Sequence, residues 1–86
     1  MTKKVEIYTL DYCPYCMKAK MFLDEHNVEY TEIPCEDKEE AMRDKLTEIF
    51  NLKSPATFPQ IVIDGVDIGG YSDLIEKYEN KLINFD

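Results

Sequence analysis

The chain has 86 residues, 44% of them hydrophobic and 33% charged, with a formal net charge of −8. That length is expected to form one domain spanning 1–86, and the composition excludes a disordered chain. The acidity disfavours nucleic acid and anionic membranes as partners, because both need basic patches.

No apolar run approaches the ~20 residues of a membrane span. Residues 1–5 are too polar to open a signal peptide, so a cytoplasmic protein is expected, in a compartment where thiols stay reduced. In chain order, "KVEIYTL" (Lys4–Leu10) reads as a short strand rich in β-branched and aromatic residues. Pro14 suits a first helical turn, and Cys16, Ala19, Leu23 and His26 follow at helical spacing. "VEYTEI" (Val28–Ile33) reads as a second strand stopped by Pro34. Asp37 with Glu40 three residues later forms a capping-box pattern, and Met42, Leu46, Ile49 and Phe50 give the helix it opens an apolar stripe.

"NLKSPATFP" (Asn51–Pro59) reads as a loop and "QIVID" (Gln60–Asp64) as a strongly apolar third strand. Gly65 makes a tight turn into "VDI", a fourth strand. Gly69 and Gly70 then break the chain, and Tyr71, Leu74, Ile75, Tyr78 and Leu82 step along one face of a last helix. The expected order is βαβαββα, an α/β fold: a parallel βαβ unit, an antiparallel hairpin, and three helices flanking a four-stranded mixed sheet. The acidic stretches "CEDKEE" and "KYEN" read as solvated helix faces.

The chain has three cysteines, an odd number that argues against a disulfide-stapled scaffold. Cys13 falls at the junction of the first strand and first helix, with Cys16 one turn further in. A helix N-terminus offers unpaired N–H groups and a partial positive charge, which favour a thiolate and make Cys13 the expected nucleophile. Cys16 is near enough to attack a mixed disulfide formed there. Lys18 and Lys20 either add positive potential or are simply solvated. A structural zinc site needs four ligands, and only Cys35 and His26 remain, neither with a close partner; no metal is expected. Cys35 reads as a half-buried small hydrophobe, and His26 as the end of the first helix.

Two further stretches bear on the chemistry. "ATFPQIVIDG" sets Pro59 directly before a central strand, where the spacing leaves both trans and cis open. "DIGGYSDL" places two glycines and polar groups at the start of the last helix. That is either an anion-receiving helix N-terminus or a loop whose Ser72 or Asp73 is an ordinary cap.

C-P-Y-C after a first strand, T-F-P-Q before the third, and I-G-G-Y-S-D opening the last helix together resemble a dithiol glutaredoxin, from about Val5 to Leu82. The resemblance implies a thioredoxin-like fold, a cis Phe58–Pro59 bond, and glutathione as co-substrate. It implies that Cys13 attacks and Cys16 resolves. Tyr15, Thr57, Phe58 and Pro59 would line the glutathione groove, with the Phe58 backbone pairing with the cysteine of glutathione. Gly70, Tyr71, Ser72 and Asp73 would receive the γ-glutamyl end. Partners would be disulfide-containing or glutathionylated proteins, ribonucleotide reductase being one the family commonly serves, and the protein would act as a monomer.

The chain departs from the family where a lysine often stands two or three residues before the first cysteine. Here those positions hold Leu10 and Asp11, and the glycine carboxylate of glutathione either finds another cation, for which Lys53 is the candidate, or remains in solvent. Two other functions are weighed against this one. An iron–sulfur carrier would bridge a cluster between Cys13 thiolates and glutathione, but Pro14 and Tyr15 restrict the space. A thioredoxin-like donor served by a flavoprotein reductase would have no use for the G-G-Y-S-D segment.

Overall fold

The computed structural model describes residues 4–83; residues 1–3 and 84–86, which the expected domain includes, lie outside the described residues. The elements are β1 (Val5–Thr9), α1 (Pro14–Glu25), β2 (Thr31–Pro34), a 3₁₀ turn (Glu36–Lys38), α2 (Glu39–Ile49), β3 (Gln60–Ile63), β4 (Val66–Gly69) and α3 (Tyr71–Glu79). The βαβαββα order is thus present, with one added 3₁₀ turn. The strands form one sheet in the order β2-β1-β3-β4, with β1 parallel to β2 and antiparallel to β3, and β3 antiparallel to β4. No helix among the described residues is long and apolar enough to cross a membrane.

The period-two pattern of β1 decides which way the sheet faces. Val5, Ile7 and Thr9 are buried, while Glu6 and Tyr8 between them are only partly so. Val5 and Ile7 join Ile61 and Ile63 of β3, Ala19 and Leu23 of α1, and Leu74 of α3 in one core. Full burial of a side chain such as Leu23 or Ile61 contributes about 1.5–3 kcal/mol. A ring cluster closes the far end: Phe22 and Tyr78 meet edge-to-face at 5.3 Å, with His26 4.2 Å from Phe22. Val62 points to the opposite face and is still buried, so that face is covered too. Leu46 of α2 is buried outside the main core.

The β3–β4 turn is made by Asp64 and Gly65, at φ of 52° and 81°. Positive φ at both central residues is the conformation that fits the twist of a two-residue hairpin, and Asp-Gly adopts it readily. Asp64 also ties the hairpin to β1, its N–H donating to the Lys4 carbonyl at 2.8 Å and its carboxylate accepting from the Lys4 N–H at 2.8 Å.

Three expected boundaries need correction. The second strand is Thr31–Pro34, not Val28–Ile33. Val28 is taken by the end of α1, its N–H reaching the Leu23 carbonyl at 2.9 Å. Pro34 lies inside the strand because β2 is an edge: the Cys35 N–H points to the Thr9 carbonyl (2.8 Å), so the preceding nitrogen points outward, where no donor is needed. Asp37 does not cap the second helix. It sits in the 3₁₀ turn, closed by the Lys38 N–H on the Cys35 carbonyl at 2.9 Å, and Lys38 is the N-cap.

Ile49 is exposed, at the outer margin of the α2 stripe, while Met42 and Phe50 are half-buried. Leu82 is exposed beyond the end of α3. All three α-helices stop in one way. Asn27, Asn51 and Lys81 take positive φ (56°, 52° and 59°). The next residue in each case, Val28, Leu52 or Leu82, donates back to Leu23, Thr47 or Lys77 at 2.8–2.9 Å. This is the Schellman closure, here made without glycine.

Candidate active site

Cys13 is the N-cap of α1. Its backbone is extended (φ −104°, ψ 106°), and its sulfur accepts the Cys16 N–H at 3.2 Å, as a Ser or Thr oxygen does at such an end. Pro14, the first helical residue, has no N–H to leave unpaired. The thiol donates toward the Phe58 carbonyl oxygen at 3.5 Å, so the sulfur sits between the helix terminus and the loop before β3. Cys16 is buried behind it, only 1% exposed. Burial, and then the hydrogen bond with Cys13, push the Cys16 thiol up to about 12. It is therefore a protonated thiol at neutral pH, one turn behind an accessible one. Both are free cysteines.

Beside the sulfur lies a cleft of about 280 Å³. Its lining is Tyr15, Thr57, Phe58, Pro59, Gly70, Tyr71, Ser72 and Asp73, the same eight residues expected to form a glutathione groove. The Phe58–Pro59 bond is cis. The walls are close: a Cβ on Gly70 would stand 3.5 Å from the Pro59 carbonyl oxygen. Tyr15 and Tyr71 face each other with centroids 6.1 Å apart, and Lys18 lies 5.1 Å over the Tyr15 ring. A larger hollow of about 410 Å³ continues along α3 past Tyr71 and Ser72 to Ile75, Glu76, Glu79 and Asn80. The smaller cleft is the one placed for chemistry, because its wall includes Phe58, whose carbonyl oxygen is 3.5 Å from the Cys13 sulfur, and no residue of the larger hollow's lining touches that sulfur among the contacts described.

Gly70 is the N-cap of α3, and Asp73 reaches back to accept the Gly70 N–H at 3.0 Å, half of a capping box. Gly69, at φ 109°, has no room for a side chain, since a Cβ would come within 2.4 Å of Asp73 Oδ2. Asp73 is thus an ordinary cap whose position also places its carboxylate on the cleft wall. On β4, Asp67 takes Gln60 Nε2 at 2.6 Å, and burial raises its carboxyl above the usual carboxylate range.

Lys53 is exposed in the loop before the cleft, and a second cation, which sequence reasoning missed, lies against Phe58. Arg43, on α2, has its Cζ 5.6 Å from the Phe58 ring centroid and donates through Nε to the Ala56 carbonyl at 3.0 Å. Thr47, one turn on, accepts the Ala56 N–H at 2.8 Å and donates to the Arg43 carbonyl at 2.6 Å. Both polar groups of buried Ala56 are therefore held by α2, one residue before the cleft begins. The only local signal was the spacing of Arg43 and Thr47 on one helix face. Of the lysines near the cysteines, Lys20 is paired with Glu32 at 3.0 Å. Leu10 is buried and Asp11 exposed. Cys35 is fully buried, not half-buried, and burial together with Glu36 raises its thiol pKa.

A family model described as Glutaredoxin matches residues 5–68. The chain belongs to the glutaredoxin family. It is 46% identical over 70 residues to Glutaredoxin 1 of Rickettsia bellii, covering 81% of this chain and 71% of that one. It is 43% identical over 70 residues to Glutaredoxin 3 of Escherichia coli, covering 81% and 80%. Glutaredoxin 1 from Francisella tularensis, solved with cacodylate, superposes with a TM-score of 0.83 at 33% identity, covering 94% of this chain and 98% of that one. A buckwheat glutaredoxin–glutathione complex shares the fold at a TM-score of 0.79 and 23% identity, over 92% of this chain and 71% of that one. This glutaredoxin has the thioredoxin-like fold and is a thiol oxidoreductase.

Proposed function

We propose that this glutaredoxin is a glutathione-dependent oxidoreductase that reduces protein disulfides and protein–glutathione mixed disulfides through Cys13 and Cys16. The observation that carries the reading is the Cys13 sulfur, 3.5 Å from the Phe58 carbonyl, at the edge of the cleft lined by Tyr15, Thr57–Pro59 and Gly70–Asp73. A cleft walled by Tyr15, Tyr71 and exposed backbone suits a small peptide thiol. The buckwheat glutaredoxin of the same fold is known in complex with glutathione.

In the dithiol route the Cys13 thiolate attacks one sulfur of a substrate disulfide. A Cys13–substrate S–S bond forms, the substrate bond breaks, and the departing thiolate takes up a proton. Cys16, protonated until then because burial raises its pKa, gives up its proton and attacks the Cys13 sulfur. The second substrate thiol leaves and the Cys13–Cys16 disulfide closes, two electrons having passed to the substrate. Two glutathiones then reduce that disulfide by way of a Cys13–glutathione adduct, leaving as glutathione disulfide. In the monothiol route Cys13 takes glutathione directly from a glutathionylated protein, and a second glutathione resolves it.

Glutathione would lie along the cleft with its cysteine backbone beside Phe58, its γ-glutamyl carboxylate on the backbone N–H groups at the start of α3, and its ammonium near Asp73. Its glycine carboxylate falls to Arg43, the guanidinium beside Phe58. The test is a pair of coupled assays, one with glutathione and glutathione reductase, one with thioredoxin reductase. Turnover in the first alone is expected; turnover only in the second would replace this reading with that of a thioredoxin-like donor.

A further inference from the structure

Glu39 spans the two sides of the nucleophile. It is the first residue of α2; one carboxylate oxygen accepts the phenol of Tyr12, the residue before Cys13, and the other holds Arg43 Nη2 at 2.9 Å. Arg43 itself is anchored on Ala56 and lies against Phe58. Two of its three nitrogens are therefore engaged within the chain, Nε by the Ala56 carbonyl and Nη2 by a carboxylate. Tyr12 and Arg43 together hold the Glu39 carboxyl below the usual carboxylate range, so it is charged at working pH.

A guanidinium forms its strongest pairs with one carboxylate in a forked geometry, and a second carboxylate adds like-charge repulsion. The pair is about one-third exposed on each side, so it can open to admit a competitor. We propose that Glu39 is a specificity-determining residue that competes with the carboxylate of the incoming thiol for Arg43 and so holds down the affinity for glutathione. The proposal rests on the glutathione reading given above and deepens it. It also gives the missing lysine at Leu10 and Asp11 a counterpart: the one guanidinium at Phe58 is partly neutralised from within the chain.

A plain helix pair at i and i+4 is the competing account of Glu39 and Arg43. That account moves thermal stability and has no bearing on which thiol is used, which makes the two separable. The experiment measures KM at low ionic strength for glutathione and for its glycine monoethyl ester, in wild type, Glu39→Gln, Arg43→Gln and the double variant. Glu39→Gln is expected to lower KM for glutathione about two- to five-fold, the range set by a partly exposed ion pair. KM for the ester should not change, and added salt should shrink the difference. In the Arg43→Gln background the Glu39 change should have no further effect.

An unchanged or raised KM for glutathione, an equal shift for the ester, or a shift that survives Arg43→Gln would each overturn the role of Glu39 while leaving glutathione-dependent turnover intact. Absence of any glutathione-dependent turnover in wild type would overturn the functional reading and this inference with it.

Discussion

The Cys13 sulfur and the Phe58 carbonyl oxygen lie 3.5 Å apart, although 45 residues separate them in the chain. One belongs to a helix N-terminus and the other to the loop before β3, so their approach depends on how α2 holds that loop. A thiol at this point meets anything that pairs with the Phe58 backbone.

Cys16 is protonated at neutral pH, with burial holding its thiol up to about 12, while Cys13 is accessible. Brief alkylation with iodoacetamide at neutral pH, mapped by peptide mass spectrometry, is expected to label Cys13 and spare Cys16 and buried Cys35. Equal labelling of Cys16 in the folded protein would contradict the assignment of roles.

The raised Cys16 pKa also sets a sign for stability against pH. The ordinary thiol value is 9.0 and the folded value is about 12, so the folded state keeps a proton that the unfolded state loses. Stability is at full strength below pH 9.0 and declines as pH rises from there toward about 12, with a limiting slope of ~1.4 kcal/mol per pH unit for one proton. Cys35, Tyr8 and Tyr30, each raised chiefly by burial, act in the same direction. Thermal melts across this range should show the decline, and Cys16→Ser should make it shallower but not abolish it. A flat profile in wild type would count against the burial of these groups.

Thr47 is expected to matter for the cleft without lining it. Thr47→Val keeps the shape but leaves the buried Ala56 N–H without its acceptor at 2.8 Å, which costs about 1–3 kcal/mol. The prediction is a lower melting temperature together with a raised KM for glutathione, since the residue after Ala56 begins the cleft. If stability falls and KM stays, the anchoring of Ala56 has no bearing on binding.

Gly69→Ala meets two obstacles at once, a φ of 109° and a Cβ 2.4 Å from Asp73 Oδ2. The backbone cost alone is about 1–3 kcal/mol. Because Asp73 must also move off the Gly70 N–H, KM for glutathione should rise more than for Gly65→Ala, whose Cβ would meet nothing within 4 Å. Equal effects at the two positions would remove Asp73 from the binding account.

The pattern of what was legible follows from range. The strand–Cys13–helix junction and the hairpin at Asp64 and Gly65 are local, so spacing and turn chemistry revealed them. The three motifs that carry the family resemblance are likewise contiguous, and the cleft gathers their residues. Pro34 misled because a proline stops a central strand and not the open side of an edge, and edge position depends on sheet order. Asp37 failed as a cap because the backbone of Cys35 had already closed a tighter turn. Asn27, Asn51 and Lys81 gave no clear stop signal, since helices without a terminal glycine end on residues common elsewhere. Arg43 stayed hidden because its partner, Ala56, is 13 residues away and presents only a backbone carbonyl.

The central claim is that Cys13 is the sulfur that exchanges with glutathione. Its most direct test is to expose Cys16→Ser, which cannot close the internal disulfide, to glutathione disulfide and locate the adduct by peptide mass spectrometry. One glutathione on Cys13, removed again by free glutathione, is expected. An adduct on Cys35, or none at Cys13 in folded protein, would contradict it.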